Sequence, residues 1–336
     1  MEGMKGRVPA AAVLAGAVLL GAGCSANAAA PPGGHTSPVA ASPAPPSPFT
    51  ITARYTAKSL GLDHPTDLTI GPDGNLYVTD RSQRVTVITP GGTVLRRWGK
   101  PGSKPGEFKF VGLDPQAPKY LAGKITVGAD GMVYVSDSGN ARVQVFTPGG
   151  RFVRQFGSYG TGKGQFLQPF DLVVDGAGNV YVADDLTETL AKFSPAGNVI
   201  WTIGGSAATD PDLTGHFHVA SIDRHGRLVV TNDDINRVLY IDPNGRKVDA
   251  FSPSTSGSSS GHVCQATVDA AGNTYVSQCS TTGPTLVYDR AHRLIAKWPG
   301  AQYSLLRSPD FGPNGEVFAL ATDGSILKLR ITLPGA

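Results

Sequence analysis

The chain predicts an all-β fold, a six-bladed β-propeller of four-stranded antiparallel blades. Two observations carry that reading: one strand ending recurs six times, and each copy has the same turn chemistry before it. Asp80 (in NLYVTD), Asp137 (MVYVSD), Asp184 (NVYVAD), Asn232 (RLVVTN), Gln278 (NTYVSQ) and Ala321 (EVFALA) fall in one column, with spacings of 57, 47, 48, 46 and 43 residues. Asp73-Gly74, Asp130-Gly131, Gly178-Asn179, His225-Gly226, Gly272-Asn273 and Asn314-Gly315 each supply a tight hairpin ahead of that strand. A unit of under fifty residues cannot bury a core alone, so the copies must stack on one another.

The unit is clearest from Ala129 to Gly157. Met132–Ser136 and Arg142–Thr147 are Val-, Tyr- and Phe-rich strands parted by the polar cluster Asp137-Ser138-Gly139-Asn140, and Pro148-Gly149-Gly150 turns the chain into Arg151–Phe156. A strand beginning near Lys124 completes the four. The one long spacing places about ten extra residues in the Gly99–Lys124 connection, read as a polar surface insertion.

From the start of the chain, Met1–Arg7 is basic, Val8–Leu20 is apolar or small, and Gly21-Ala22-Gly23 precedes Cys24. This is the pattern of an export signal, with an apolar run too short to span a bilayer. Cys24 after small residues resembles a bacterial lipobox, with Gly21 where leucine is usual. The alternative is cleavage near Ala26-Asn27-Ala28, which discards Cys24. The expectation is an exported protein: a membrane lipoprotein facing outside, or a secreted one if Cys24 is not lipidated. Residues 1–24 are the signal, residues 25–48 a Pro/Ala/Ser-rich tether, and residues 49–336 a single propeller.

Ring closure follows from the ends. Ser325–Thr332 is the last strand, so the sixth blade lacks its fourth, while Phe49–Lys58 is a spare strand; pairing them removes an open edge. Cys264 and Cys279 flank the Ala270–Asn273 turn symmetrically, which predicts a cross-strand disulfide. Lys plus Arg number 29 against 26 for Asp plus Glu, with no basic run, which argues against nucleic acid. Gly157-x4-Gly162-Lys163 imitates a phosphate-binding loop, but Gly164 replaces the metal-binding hydroxyl and a strand follows, so no nucleotide is expected.

The stretch GSYGTGKGQFLQPFDLVVDGAGNVYVAD (Gly157–Asp184), with SDSGNARVQVFTPGG (Ser136–Gly150), resembles the NHL-repeat family of six-bladed propellers. The likeness is good over blades one to three, moderate in four and weak in five and six. The layout is similar to exported actinobacterial lipoproteins of that family and to the extracellular propeller of receptor-type Ser/Thr kinases. The resemblance implies binding of a protein, peptide or glycan in most members and lyase activity in a minority.

Residues repeated in every blade shape the same loop, so Asp80, Asp137 and Asp184, with Arg84, Arg142 and Arg237, read as structural. Residues that break the repeat are more informative. Sixteen before the column lie His64, His216 and His262; fourteen before it lie His218 and Cys264. His216 and His218 share a strand face, and His262 comes from the adjacent blade. Such imidazoles at an axial mouth can hold zinc or another divalent metal. Peptidylglycine amidating lyases, which share the propeller, use a histidine fourteen back in three blades; here only His218 matches. The competing reading is a polar, solvated mouth of His64, Asp67, Lys124, Asp171, His216, His218, His262 and Arg307.

The principal expectation is therefore a membrane-anchored binding or scaffold module with no cofactor, recognising an envelope protein, peptide or glycan at the mouth. The alternative is a metal-dependent lyase or lactonase in which His216, His218 and His262 hold the ion and Asp67 or Asp171 acts as general base. No acyl-transfer triad is readable.

Overall fold

The computed structural model describes residues 48–110, 123–253, 262–278, 283–298 and 309–333. All lie in one compact unit, Pro46–Ala336.

The described strands form six four-stranded antiparallel sheets. Blade one is β2–β5 (Pro65–Ile70, Leu76–Asp80, Arg84–Ile88, Val94–Trp98), and blade two is β6–β9 (Ile125–Val127, Val133–Asp137, Arg142–Phe146, Phe152–Phe156). Blade three is β10–β13 (Pro169–Val174, Val180–Asp184, Thr189–Phe193, Val199–Gly204), and blade four is β14–β17 (Phe217–Ile222, Leu228–Asn232, Arg237–Ile241, Lys247–Phe251). Blade five is β18–β21 (Val263–Val268, Thr274–Gln278, Thr285–Tyr288, Leu294–Trp298). In blade six, β22 (Asp310–Phe311), β23 (Val317–Leu320) and β24 (Ile326–Ile331) are completed by β1 (Phe49–Tyr55), in the order β1-β24-β23-β22. The six column residues thus end or follow the second strand of every blade, and the predicted closure is present.

Closure is more than edge pairing. Phe49, the first residue of β1, is buried with its ring 4.7 Å from Trp298 and 6.5 Å from Tyr275, so the strand also carries a core side chain between blades five and six. Beyond β1 a single helical turn, α1 (Ala57–Leu60), capped by the Thr56 hydroxyl, ends at left-handed Gly61 and buries Leu60.

The core consists of wedges between neighbouring sheets, which is why second and third strands are buried on both faces. β7 and β8 are buried at every position, whereas β9 alternates. The Gly99–Lys124 connection departs from the surface reading. Phe108 and Phe110 are fully buried and pack with Phe146, and Phe166 does the same beside Phe193 in the next connection. These connections insert an aromatic plug between blades, because a glycine-rich loop lets the backbone approach closely enough to seat it: Gly157, Gly160 and Gly164 all have positive φ. Residues 111–122 of the longer connection lie outside the described set.

The bridge expected between Cys264 and Cys279 falls partly outside the described residues, since Cys279 is not among them. Register near it also differs from the symmetric hairpin assumed from sequence. Val263 pairs with Gln278 and Gln265 with Ser277, leaving Cys264 in a bulge.

Candidate active site at the axial mouth

First strands line the axis. Asp67, Lys124, Asp171, Gln265 and Asp310 share one channel with Thr69, Thr126 and Thr267. In blades one to four the turn after the second strand folds back toward the segment that leads into the first, and the column residue ties the two together. Asp137 accepts hydrogen bonds from Arg142 Nε (2.7 Å), Gln144 Nε2 (3.0 Å) and the Lys109 amide (2.6 Å). Asp80 holds Arg84 and the Ser82 amide, and Asp184 holds the amides of Gln168, Leu186 and Thr187. These carboxylates are loop organisers. Arg237 differs: blade four has Asn232 in the column, and the guanidinium turns to Asp212 at 2.7 Å.

Blade four is where the repeat breaks into chemistry. β14 and β15 pair Phe217 with Asn232, so His216 just before one strand meets Asp233 and Asp234 just after the other. His216 Nδ1 donates to Asp234 Oδ2 at 3.0 Å, and the His216 amide reaches the same oxygen at 3.1 Å. Gly215 makes this possible. Its φ is +99°, and a Cβ there would collide with the Asp234 carboxylate. One ligand atom each from His216, Asp233 and Asp234 lie within 4.8 Å of one another.

His218 lies one residue pair deeper. Its Nδ1 donates to Asp171 Oδ2 of blade three at 2.8 Å, and its Nε2 stands 3.8 Å from Asp233 Oδ2. Burial opposes charge on this ring, but hydrogen bonds to and charges of Asp171 and Asp233 prevail, pushing its pKa up to about 10. It is therefore an imidazolium at neutral pH. Burial raises the Asp171 carboxyl despite His218, whereas His218 wins over burial at Asp233 and holds it low. Asp185, contributed by blade three, is raised chiefly by burial, against the pull of His216 and His218. For His216, burial again opposes charge, and the hydrogen bond it donates to Asp234, with the charges of Asp185, Asp234 and Asp233, overcomes it.

The residues anticipated from sequence divide accordingly. His216, His218 and Asp171 converge. His262 is exposed and its Nδ1 donates to the Asp233 carbonyl at 2.9 Å, which puts it beside the cluster through the backbone. His64 is exposed in blade one, at φ +47°, paired with neighbouring Asp63 at 2.7 Å. Asp67 accepts from the Ile125 amide at 3.0 Å, and Lys124 lines the channel. Arg307 lies outside the described residues. Asp185, Asp233 and Asp234 are new. Their signal was readable one and two places past the column, where only blades three and four carry the Asp-Asp or Asn-Asp-Asp run.

Two expectations are overturned here. The cofactor-free binding or scaffold module does not fit a mouth whose imidazole and two carboxylates converge on one point. Nor does "no cofactor" fit, because the donor set, one imidazole nitrogen and two carboxylates, matches a divalent cation. Asp233 Oδ1 is buried and accepts no hydrogen bond among the described residues, a cost that a bound cation would remove.

Comparison with known proteins agrees on the architecture. A family model described as a 6-bladed beta-propeller matches residues 122–203. The protein brain tumor of Drosophila melanogaster is 26% identical over 178 residues, 52% of this chain and 16% of that protein. The RING finger protein nhl-1 of Caenorhabditis elegans is 43% identical over 68 residues, 20% of this chain and 6% of that protein. The matched region thus spans only a small part of either relative. Virginiamycin B lyase from Staphylococcus aureus superposes with a TM-score of 0.56 at 10% identity, covering 84% of this chain and 99% of that one. A streptogramin B lyase gives a TM-score of 0.54 at 13% identity, covering 84% and 98%. This is a six-bladed propeller of the kind shared by NHL-repeat proteins and these lyases.

Proposed function

We propose that the protein is a metal-dependent enzyme, a lyase or lactonase acting on a substrate laid over the axial mouth. The observation that carries this is the convergence of His216, Asp233 and Asp234 at the one place where the repeat is broken in two adjacent blades. A divalent ion held by these three would supply Lewis-acid polarisation of a substrate oxygen. The chain's own groups complete the set. His218, fixed between Asp171 and Asp233, presents a positive charge beneath the site. Asp185, its carboxyl raised by burial, is the group suited to exchange a proton there. The lyase reading gains support from the shared fold and from a catalytically inactive histidine-to-alanine variant of the Staphylococcus aureus lyase, described with quinupristin.

The same proposal includes export, in the manner of actinobacterial lipoproteins of the NHL type. Cys24 is the lipid anchor, residues 25–48 are the tether, and the substrate is an envelope peptide or glycan. It also includes a Cys264–Cys279 bridge, in keeping with Cys264 not standing free. The deciding experiment is metal analysis of protein purified without chelators. About one equivalent of a divalent metal per chain is expected, lost in Asp233→Asn and Asp234→Asn and kept in His64→Ala. Metal-free wild type, with no turnover of cyclic ester substrates on adding Mg2+, Mn2+ or Zn2+, would refute the proposal.

A further inference from the structure

The inner strands are tied to one another by carboxylates, and blade two breaks the pattern. Asp67 of blade one accepts from the Ile125 amide of blade two at 3.0 Å. Asp310 of blade six accepts from the Ile70 amide of blade one at 2.9 Å, and Asp171 of blade three takes the imidazole of His218 in blade four. Asp67, Lys124, Asp171 and Gln265 occupy the same place, 13 residues before their column residues. Blade two therefore carries a cation where neighbouring blades carry an acceptor.

Lys124 is 1% exposed, and no hydrogen-bond acceptor reaches its ammonium among the described residues. The ammonium sits 4.8 Å over the ring of Phe170, and that ring meets His218 edge-on at 5.7 Å. An aromatic face gives a buried cation only part of what water would give, so the arrangement asks for an anion. The channel at Lys124 is a cavity of about 50 Å3, sized for one small polar group. Thr126 and Thr267 add hydroxyls to its wall. Asp67 and Asp310, which line the same channel, each hold a backbone amide, and neither accepts a hydrogen bond from the ammonium.

We propose that Lys124 is the anion-recognition residue of the axial mouth, binding one carboxylate that the substrate delivers down the axis. The substrate class that follows is acidic: a peptide, lactone or glycan with a free carboxyl. That second half rests on the metal-enzyme reading; the anion site itself does not.

Thermal unfolding tests the site. Sodium acetate and sodium formate would be titrated at constant ionic strength, balanced with a bulky sulfonate that cannot enter a space this small. Wild-type protein should show a saturable rise of roughly 3–6 °C in Tm, as mass action predicts for binding to the folded state alone. The rise should vanish in Lys124→Met and survive, weakened, in Lys124→Arg. No saturable rise in wild type, or an equal rise in Lys124→Met, would overturn the inference. Should Lys124→Met not fold, the line width of carboxyl-13C acetate on wild type against Lys124→Gln decides in the same way. Repeating the titration in Asp234→Asn separates the two proposals, because the acetate response must persist there whether or not metal binds. For the substrate half, a free-carboxyl peptide should compete with acetate at least tenfold better than its amide; equal competition would remove the acidic-substrate assignment.

Discussion

His218 bears a charge that its burial opposes, and the carboxylates around it show why. Asp171 accepts the hydrogen bond of the ring Nδ1, and together with Asp233 it favours the charged imidazole over the neutral one. The consequence for stability has a definite sign. The folded pKa is about 10 against 6.5 for a free histidine, so the contribution is complete below pH 6.5 and is lost as pH rises toward 10. Burial raises the Asp171 carboxyl, against the pull of His218. Urea unfolding of chelator-treated protein at pH 6.5, 8 and 9.5 should show a decline of about 2–4 kcal/mol, much reduced in His218→Gln. A flat profile in wild type would mean that the ring is neutral. The histidines were legible in the sequence because they break the repeat. Their protonation was not, since it depends on Asp171 from another blade and on Asp233 across the hairpin. Asp233 and Asp234 could have been found by extending the same comparison two places past the column.

The hairpin loop after the second strand is reused in blades one to four, and the buried ion pair of blade two can be measured. Asp137 and Arg142 are 0% and 7% exposed at 2.7 Å, and the carboxylate also orders Asn140, Gln144 and Lys109. Asp137→Ala leaves a buried guanidinium without its partner and should cost about 3–5 kcal/mol in chemical denaturation. Asp323→Ala, whose partner Arg54 is largely exposed, should cost under about 1 kcal/mol. Comparable losses at both positions would contradict the burial argument. The same loop in blade four has exchanged its structural Asp for Asn232, whose Nδ2 donates to the Thr214 carbonyl at 2.6 Å. The ordering function is kept by an amide, and the next two carboxylates are released for the mouth. Gly215→Ala should therefore lower metal retention with the fold intact, because the new methyl displaces Asp234; unchanged metal content would argue against that placement.

The molecule is a ring, and a ring is only as stable as its join. β1 supplies the fourth strand of blade six through pairs from Phe49↔Ile331 to Tyr55↔Ile326, interrupted by a bulge after Ile51. Deleting residues 49–58 should abolish the cooperative thermal transition, and Phe49→Ala alone should cost about 3–5 kcal/mol. A truncated protein melting like wild type would defeat the closure. Much of this was determined by the sequence alone: the blade count, the strand order, the closing strand and the loop-forming Asp residues. Repetition makes these legible, because a local pattern that recurs six times reports its own fold. Only the tertiary structure decided the chemistry. Which carboxylate faces which imidazole, that His64 and His262 stay outside the cluster, and that Lys124 stands without an acceptor among the described residues all depend on side chains from different blades meeting at the axis. No spacing along the chain encodes those contacts, since they are set by sheet twist, bulges and the packing of one blade against the next.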